Sequence, residues 1–580
     1  MTTDFHRFLA FCAILLLAAI PRAVHLAADP PTNISWSGDL LTDEGWYSHN
    51  AREKTLRGRW FDPRLRNSLS HFPLASLAQR AVFSQLGVGL GPLRLLSIAA
   101  TLIGFLAFYL WLRHKRGALL ALFLLSISYY CTSFQRLGLI EPLLAAALLV
   151  VCATAGAARQ RASPLLACLA GLLSAASLLG IKSTGAIIIP PLIVFFSLPS
   201  HHSTSIPASP RTRRYIISCY AAGLVIITVL WATLWLPVCY ADWLDFSLGV
   251  RQTQPLSLNP LHLLRNIANL FGDVNIQRNL FPCLWLGEYF GLKILFSAVN
   301  RKDATAPPED LLMALWLWLG LSFFGLLPYH PPRYLLILAA PLFYLVGRCL
   351  SRSDGASSSE RSASMAAFYS VCGLNLVGIA HSAFEKYFSA FLAGPRLASV
   401  AEILVEVAIL GSFFLAFGPA SKLEFGAFLR WLEGGGPQRR STLARGFIAF
   451  VVLWNAWLYG RSLATTQWSM TEAAKRVAQV VQNDCPQPVI IGSVADTLAL
   501  THHLPSCNFS DYERHRPEIL TYYRPTHLVT LSIAELQECQ SAFPEYFQEA
   551  EMILSTPLMG NYYTGEPLRL YRLHPGPTRQ

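Results

Sequence analysis

Residues 93–134, LRLLSIAATLIGFLAFYLWLRHKRGALLALFLLSISYYCTSF, hold two apolar runs on either side of the basic tetrad Arg113, His114, Lys115 and Arg116. At about 1.5 Å of rise per residue, runs of this length reach across most or all of a hydrocarbon core about 30 Å thick. Only a helix satisfies its own backbone groups in that setting, whereas membrane strands would be about half as long and would alternate. A short basic turn between two such runs marks a cytoplasmic connection.

The same pattern repeats along the chain. Hydrophobic residues are 53% and charged residues 14% of the sequence, and the mean hydropathy is +0.40, so most of the protein dissolves in lipid. The first run, from Phe8 to about Leu26, lacks a small-residue cleavage site and carries Arg22 and His25 near its end, so it reads as a retained helix. Further helices are expected at Leu93 to Leu112, Ala118 to Phe134, Pro142 to Ala158, Pro164 to Leu179, Gly185 to Leu198 and Tyr215 to Val238. Beyond them the runs Leu280 to Val299, Leu311 to Leu327, Tyr334 to Leu350, Met365 to Ile379, Val400 to Phe417 and Gly446 to Leu463 complete about thirteen transmembrane helices.

Basic residues fall in alternate connections: RHKR from Arg113, RQR from Arg159, RTRR from Arg211, Arg301 with Lys302, the loop Arg348 to Arg361, and Lys422 to Arg445. This bias places the N-terminus inside and the C-terminus outside. The segment Phe72 to Leu90 is apolar enough to span, yet counting it would invert every later loop. Its Gln79, Arg80, Ser84 and Gln85 suit an amphipathic helix lying along the headgroups, within one long external loop over residues 27–92. The net charge of +12 is spread over loops, which argues against nucleic acid and for anionic membrane lipid.

After Leu463 the hydropathy drops, and residues 464–580 read as a small soluble extracytoplasmic α/β domain following the transmembrane domain of residues 1–463. VIIGSVADTLAL from Val489 reads as strand, Gly turn and helix, and THLVTLS from Thr526 as a buried strand before the helix start SIAELQE. Cys485 and Cys507 bracket the first of these units, where a bridge and two thiols are both open. The expected fold is therefore a polytopic α-helical membrane protein with a small C-terminal α/β appendage.

Ionisable groups gather on one side of this topology. Asp43 and Glu44 lie in the first external loop, His71 begins the interfacial helix, Glu141 lies in the second external turn, Lys182 in the third, Arg251 in the fourth, and Arg333 with Tyr334 in the fifth. Each has a plainer reading: an acidic pair on a wet surface, an acid at a helix N-terminus, or a cation snorkelling to the headgroups. Their convergence on one face sets acids that accept a proton beside cations that hold a phosphate. No Gly-rich nucleotide loop or metal-ligand cluster is apparent, so no cofactor is expected.

The segments DEGWYSHNARE from Asp43, FQRLGLIEP from Phe134, GIKSTG from Gly180, HPPRYLL from His330 and VIIGSVADTLAL from Val489 stand in the order and spacing of the type C glycosyltransferases. Over nearly its whole length the chain resembles the aminoarabinose transferases of lipid A and the related protein O-mannosyltransferases. The resemblance implies that Asp43 is the loop aspartate acting as general base and Glu141 a second acid. Lys182 matches the lysine of a TKG-like turn, and Tyr334 a tyrosine associated with the donor phosphate. It implies acceptor or sugar orientation by Glu44 and Tyr47, and donor-phosphate binding by Lys182, Arg333, Tyr334, His71 and Arg251. Where the aminoarabinose transferases have an acid and a lysine before a proline, this chain has Ser70, His71, Phe72 and Pro73, so the phosphate grip there would rest on His71. The WWD-like motif of oligosaccharyltransferases is absent.

The reaction implied is inverting transfer from a polyprenyl-phosphate sugar to a hydroxyl of lipid, glycan or protein on the outer face of a plasma membrane. A transporter of an anionic or lipid-linked substrate is the rival expectation. It would place charges near the membrane midplane and show paired broken helices.

Overall fold

A computed structural model describes residues 2–574 apart from 32–33, 38, 63, 200–208, 254–258, 301–305, 352–357, 394–436, 510–516 and 559–564. The expected span Val400 to Phe417, the pair Arg301 and Lys302, and most of the basic stretch from Lys422 lie outside the described residues.

Among the described residues, eight helices are long and apolar enough to cross a membrane, including Asp4–Ala23, Leu90–Leu112, Glu141–Gln160, Pro308–Leu326 and Pro332–Ser351. Two bent pairs raise the number to ten if each is one span, and Pro164–Gly180 and Ser183–Ser197 are shorter apolar helices. The chain is a multi-pass membrane protein.

Several spans differ in form from the sequence reading, and two of them are held by distant residues. The helix expected from Ala118 to Phe134 is broken at Ser128 into Ala118–Ile127 and Tyr129–Gln135, which meet at 66°. A break in lipid frees backbone groups that must find partners inside the protein. Arg22, fully buried at the end of the first helix, donates to the carbonyls of Ser126 (3.1 Å) and Leu125 (3.3 Å) and to Gln135 Oε1. On the donor side, the Tyr129 N–H reaches Asn455 Oδ1 at 2.6 Å, and the Ser128 hydroxyl caps the new helix through Cys131 N. The helix expected to end at Val238 instead continues from Pro210 to Leu248, with a π-turn at Trp231–Trp235. Its extension brings Asp242 to the Asn67 N–H and Asp245 to Arg66 at 2.8 Å, tying it to the segment that follows the acid-bearing helix.

The C-terminal unit has a five-stranded sheet in the order β2-β1-β3-β5-β4, with β1 Ile490–Gly492, β2 Ser506–Asn508, β3 His527–Thr530, β4 Glu551–Thr556 and β5 Leu568–Arg572. β2, β1 and β3 are parallel, while β5 and β4 add antiparallel. The strand, Gly turn and helix expected from Val489 are β1, Gly492 and Ala495–His502, and the strand from Thr526 is β3, followed by the helix Ile533–Ala542 capped by Ser532. Cys485 and Cys507 are thiols.

This unit does not stand apart from the membrane domain. Leu41 packs into the core formed by Met470, Val477, Ile490 and Leu498, and Leu65 into the core around Ile491, Phe509 and Leu528. Asp29 accepts hydrogen bonds from Ser469 N (2.9 Å), the Ser469 hydroxyl (2.5 Å) and Met470 N (3.0 Å), so it caps the helix Ser469–Asp484 from far back in the chain.

Candidate active site

The acid-bearing segment is a helix, Asp39–Arg57, too polar to span, with Lys54 and Arg57 in its last turn where cations suit the helix dipole. Successive residues lie about 100° apart round such a helix, so its side chains divide among three environments. Leu41, Gly45, His49 and Arg52 share the face toward the C-terminal unit. Glu44 points between the two. Asp43 and Tyr47, one turn apart, look the opposite way, into the helix bundle.

There the Asp43 carboxylate meets Arg333, with Oδ2 2.9 Å from Nη2. Arg333 begins a 3-10 turn, Pro332–Leu338, that opens the span ending at Ser351. Its Nε lies 3.3 Å from Glu141 Oε1, and the same oxygen accepts a hydrogen bond from Lys182 Nζ at 2.5 Å. Glu141 is the first residue of its helix, followed by Pro142, a position where an acid is favoured and the missing proline N–H costs nothing. Lys182 sits in the turn after Gly180, where its N–H donates to Ser177 O and its carbonyl accepts from Gly185 N. The Tyr334 ring underlies both cations, 4.0 Å from Lys182 Nζ and 5.4 Å from the Arg333 guanidinium.

Two carboxylates and two cations thus form one line, Asp43–Arg333–Glu141–Lys182, supplied by four separate chain segments. Mutual pairing compensates charges that would each be costly alone at this depth. The members differ in access. The side chains of Glu141, Arg333 and Lys182 are 1%, 3% and 8% exposed, whereas Asp43 is 16% exposed. Asp43 is the most exposed of the four. Glu141 Oε2 is buried without a hydrogen-bond partner.

The remaining candidates are placed less alike. Tyr47 is buried beside this line, and burial, with the negative charges of Asp43 and Glu141 adding to it, holds its phenol well above its usual pKa. It is a neutral hydroxyl. His71 ends the short helix Ser68–His71, its ring 4.2 Å from that of Phe246. Burial, with Arg66 nearby, lowers its pKa to about 4, so at neutral pH it offers a hydrogen bond and no positive charge. Glu44 accepts both Arg94 nitrogens, at 2.7 and 2.5 Å, and the Gly138 N–H at 2.5 Å, all out of contact with solvent. Both of its oxygens are taken by the protein. Arg251 lies in the last turn of the helix Leu236–Thr253, and its side chain is outside the described residues.

Arg94, which completes the Glu44 contact and also donates to the carbonyls of Leu26 and Ala28, is missing from the sequence candidates. A lone Arg in an apolar helix is itself a signal that a partner waits for it. Trp46 stacks on Phe246 at 5.8 Å and meets Phe72 edge-on, an aromatic wall next to Tyr47 that no spacing rule pointed to. Among the described residues no group of three or more His, Cys, Asp or Glu is placed to hold a metal ion.

The opposite end of the bundle is basic. Arg348 pairs with Asp310 and donates to Arg116 O, Lys115 reaches Glu309 at 2.9 Å, and Arg159 bonds Phe195 O and Pro199 O. Glu141 and Arg159 bracket one helix, so these ends are roughly 27 Å apart at about 1.5 Å per residue.

No protein-family model and no curated protein matches the chain in sequence. Solved structures do match in shape. ArnT from Cupriavidus metallidurans bound to undecaprenyl phosphate superposes with a TM-score of 0.55 at 15% identity, over 98% of this chain and 98% of that one. Its apo state gives the same values. The archaeal oligosaccharyltransferase AglB from Archaeoglobus fulgidus, in complex with an inhibitory peptide and a dolichol-phosphate, gives 0.48 at 12% identity over 93% of this chain and 72% of that chain. The chain has the fold of ArnT from end to end.

Proposed function

We propose that this protein is an integral-membrane glycosyltransferase that moves a sugar from a polyprenyl phosphate to a hydroxyl acceptor, with inversion at the anomeric carbon. The observation that carries the reading is the line Asp43–Arg333–Glu141–Lys182 at one rim of the bundle, in a fold shared with a protein crystallised with undecaprenyl phosphate.

The donor is a phosphodiester and the departing lipid phosphate is a monoester, so negative charge grows on the phosphate as the sugar leaves. Fixed cations aimed at that charge stabilise the transition state more than the ground state. Lys182 and Arg333 supply them. Both cations are paired with carboxylates, and an arriving phosphate competes with those carboxylates for them. As Arg333 turns toward the phosphate, Asp43 is released to accept the acceptor's proton. The acceptor oxygen then bonds the anomeric carbon from the opposite face, the bond from that carbon to the phosphate oxygen breaks, and its electron pair leaves with the lipid phosphate. General-base assistance of this kind is worth roughly two to four orders of magnitude. Glu141 holds Arg333 and Lys182 together, and Tyr47 offers a neutral hydroxyl beside them. The Tyr334 ring supports both cations from below. His71 and Arg251 are further donor contacts in this reading, His71 as a neutral hydrogen-bonding group, while Glu44 acts through Arg94 and Gly138 as a clamp on the acid helix.

The site rim is assigned to the extracytoplasmic side and the basic end to the cytoplasm, in a bacterial inner membrane, with the N-terminus inside and the C-terminal unit outside. The positive-inside rule supports this orientation. Transport finds no support. The four groups of the ionic line sit at one rim of the bundle, whereas a transport path calls for ionised groups near mid-membrane. Proteoliposomes given radiolabelled polyprenyl-phosphate pentoses and hexoses test the reading. Label should move to a hydroxyl acceptor in the wild type, and label crossing the bilayer while still on its lipid would point to transport.

A further inference from the structure

We propose that Thr497 and Asp496, in the first turn of the C-terminal unit's helix Ala495–His502, are positioning residues that set the rotation and depth of the acid helix, and so the location of the Asp43 carboxylate. This rests on the reading of Asp43 as the proton acceptor. The Thr497 hydroxyl donates to Thr42 O at 3.1 Å and accepts from the Gly45 N–H at 3.3 Å. One side chain therefore grips the peptide on both sides of the acidic pair.

Gly45 makes the grip possible. A Cβ at that position would fall inside the van der Waals shells of Thr497 N and Asp496 C, so any larger residue pushes the two helices apart. One and two turns further along the same face, Asp496 Oδ1 lies 3.0 Å from His49 Nδ1 and accepts from Arg52 Nη2 at 3.1 Å. Arg52 also donates to Asp496 O at 3.0 Å and Ser506 O at 3.2 Å, which ties the helix to β2. Every one of these residues is buried apart from the half-buried Thr42.

The seat lies on the opposite side of the acid helix from Asp43. A helix with side chains has a radius of about 5–6 Å, so a rotation of roughly 10° in the seat moves the carboxylate by about 1 Å on the far side. Misplacement by about 1 Å costs on the order of a hundred-fold in rate. The C-terminal unit, which contributes no group to the ionic line, thereby governs its alignment.

The test uses the full-length chain in proteoliposomes with a radiolabelled polyprenyl-phosphate sugar. Thr497→Val keeps the side-chain volume and removes both hydrogen bonds, while Thr497→Ser keeps the hydroxyl. Thr497→Val should lower kcat by on the order of ten- to a hundred-fold with the donor KM unchanged, and Thr497→Ser should restore it. Amide hydrogen exchange at residues 42–46 should quicken in Thr497→Val and in Asp496→Asn, a readout that needs no turnover. Lys475→Ala, on the exposed face of the helix Ser469–Asp484, should alter neither. Unchanged exchange in Thr497→Val, or a Thr497→Ser variant as defective as Thr497→Val, overturns the proposal. If the wild type itself moves no label, the functional reading falls, and the exchange data still decide whether the seat exists.

Discussion

Replacing Glu44 by Gln separates a structural acid from a catalytic one a single residue away. The Glu44 carboxylate is 1% exposed and accepts three hydrogen bonds, two from Arg94 and one from Gly138 N. A Gln amide retains one acceptor oxygen and turns two N–H donors toward groups that are themselves donors. It also leaves the Arg94 guanidinium, 1% exposed, without its counter-charge. Removing one partner of a buried ion pair costs about 3–5 kcal/mol, and at 1.4 kcal/mol per factor of ten that is roughly a hundred- to a few-thousand-fold in the folded-to-unfolded ratio. Denaturant unfolding in detergent micelles, followed by labelling of buried cysteines such as Cys131, measures it. A double-mutant cycle with Arg94→Met isolates the coupling. The cycle should show that most of the loss is shared, because the second substitution removes the orphaned charge. Stability of Glu44→Gln within about 0.5 kcal/mol of wild type, the range of ordinary surface substitutions, or strictly additive single losses, would refute the clamp. A variant that folds normally but loses sugar transfer would return Glu44 to the role of orienting the sugar.

Asp43→Asn should abolish label transfer while undecaprenyl phosphate binding, followed by native mass spectrometry, persists; full activity would remove the proposed base. Lys182→Ala should raise the donor KM more than the acceptor KM in steady-state assays, and an equal rise in both would contradict phosphate binding. Burial alone would raise the Asp496 carboxyl, but His49 and Arg52 outweigh it and hold it below the ordinary carboxylate range. Its stabilising contribution is therefore complete above the unfolded value of about 4 and is lost as pH falls through the lower folded value. Hydrogen exchange across residues 45–52 should accelerate on acidification below about pH 4, and Asp496→Asn should already exchange fast at pH 7 and show no such step.

The spans were legible because a bilayer demands long apolar runs, and the ionic line because Glu141, Lys182 and Arg333 each stand where such a run begins or ends, while Asp43 lies in the polar stretch after the first run. Charge at that boundary is expensive enough to need a reason. Asp43 and Glu44 could not be told apart by position, since adjacent residues diverge by about 100° only once the helix exists. The break at Ser128 was invisible for a different reason. A lone serine in an apolar run is unremarkable, and what stabilises the break comes from Arg22 and Asn455, each more than a hundred residues distant. His71 ordinarily changes charge near neutral pH and is held neutral by burial, which only packing reveals. The grip of Thr497 on Gly45 likewise exists nowhere in the order of residues.

Asp29 capping Ser469 and Met470 joins the earliest and latest portions of the polypeptide. During synthesis Leu41 and Leu65 emerge long before Met470, Ile490, Ile491 and Leu528, which cover them. A chain interrupted at Ala464 therefore leaves Leu41 and Leu65 without the cores they pack into, so the fold of the early segment is finished by residues that come more than four hundred positions later.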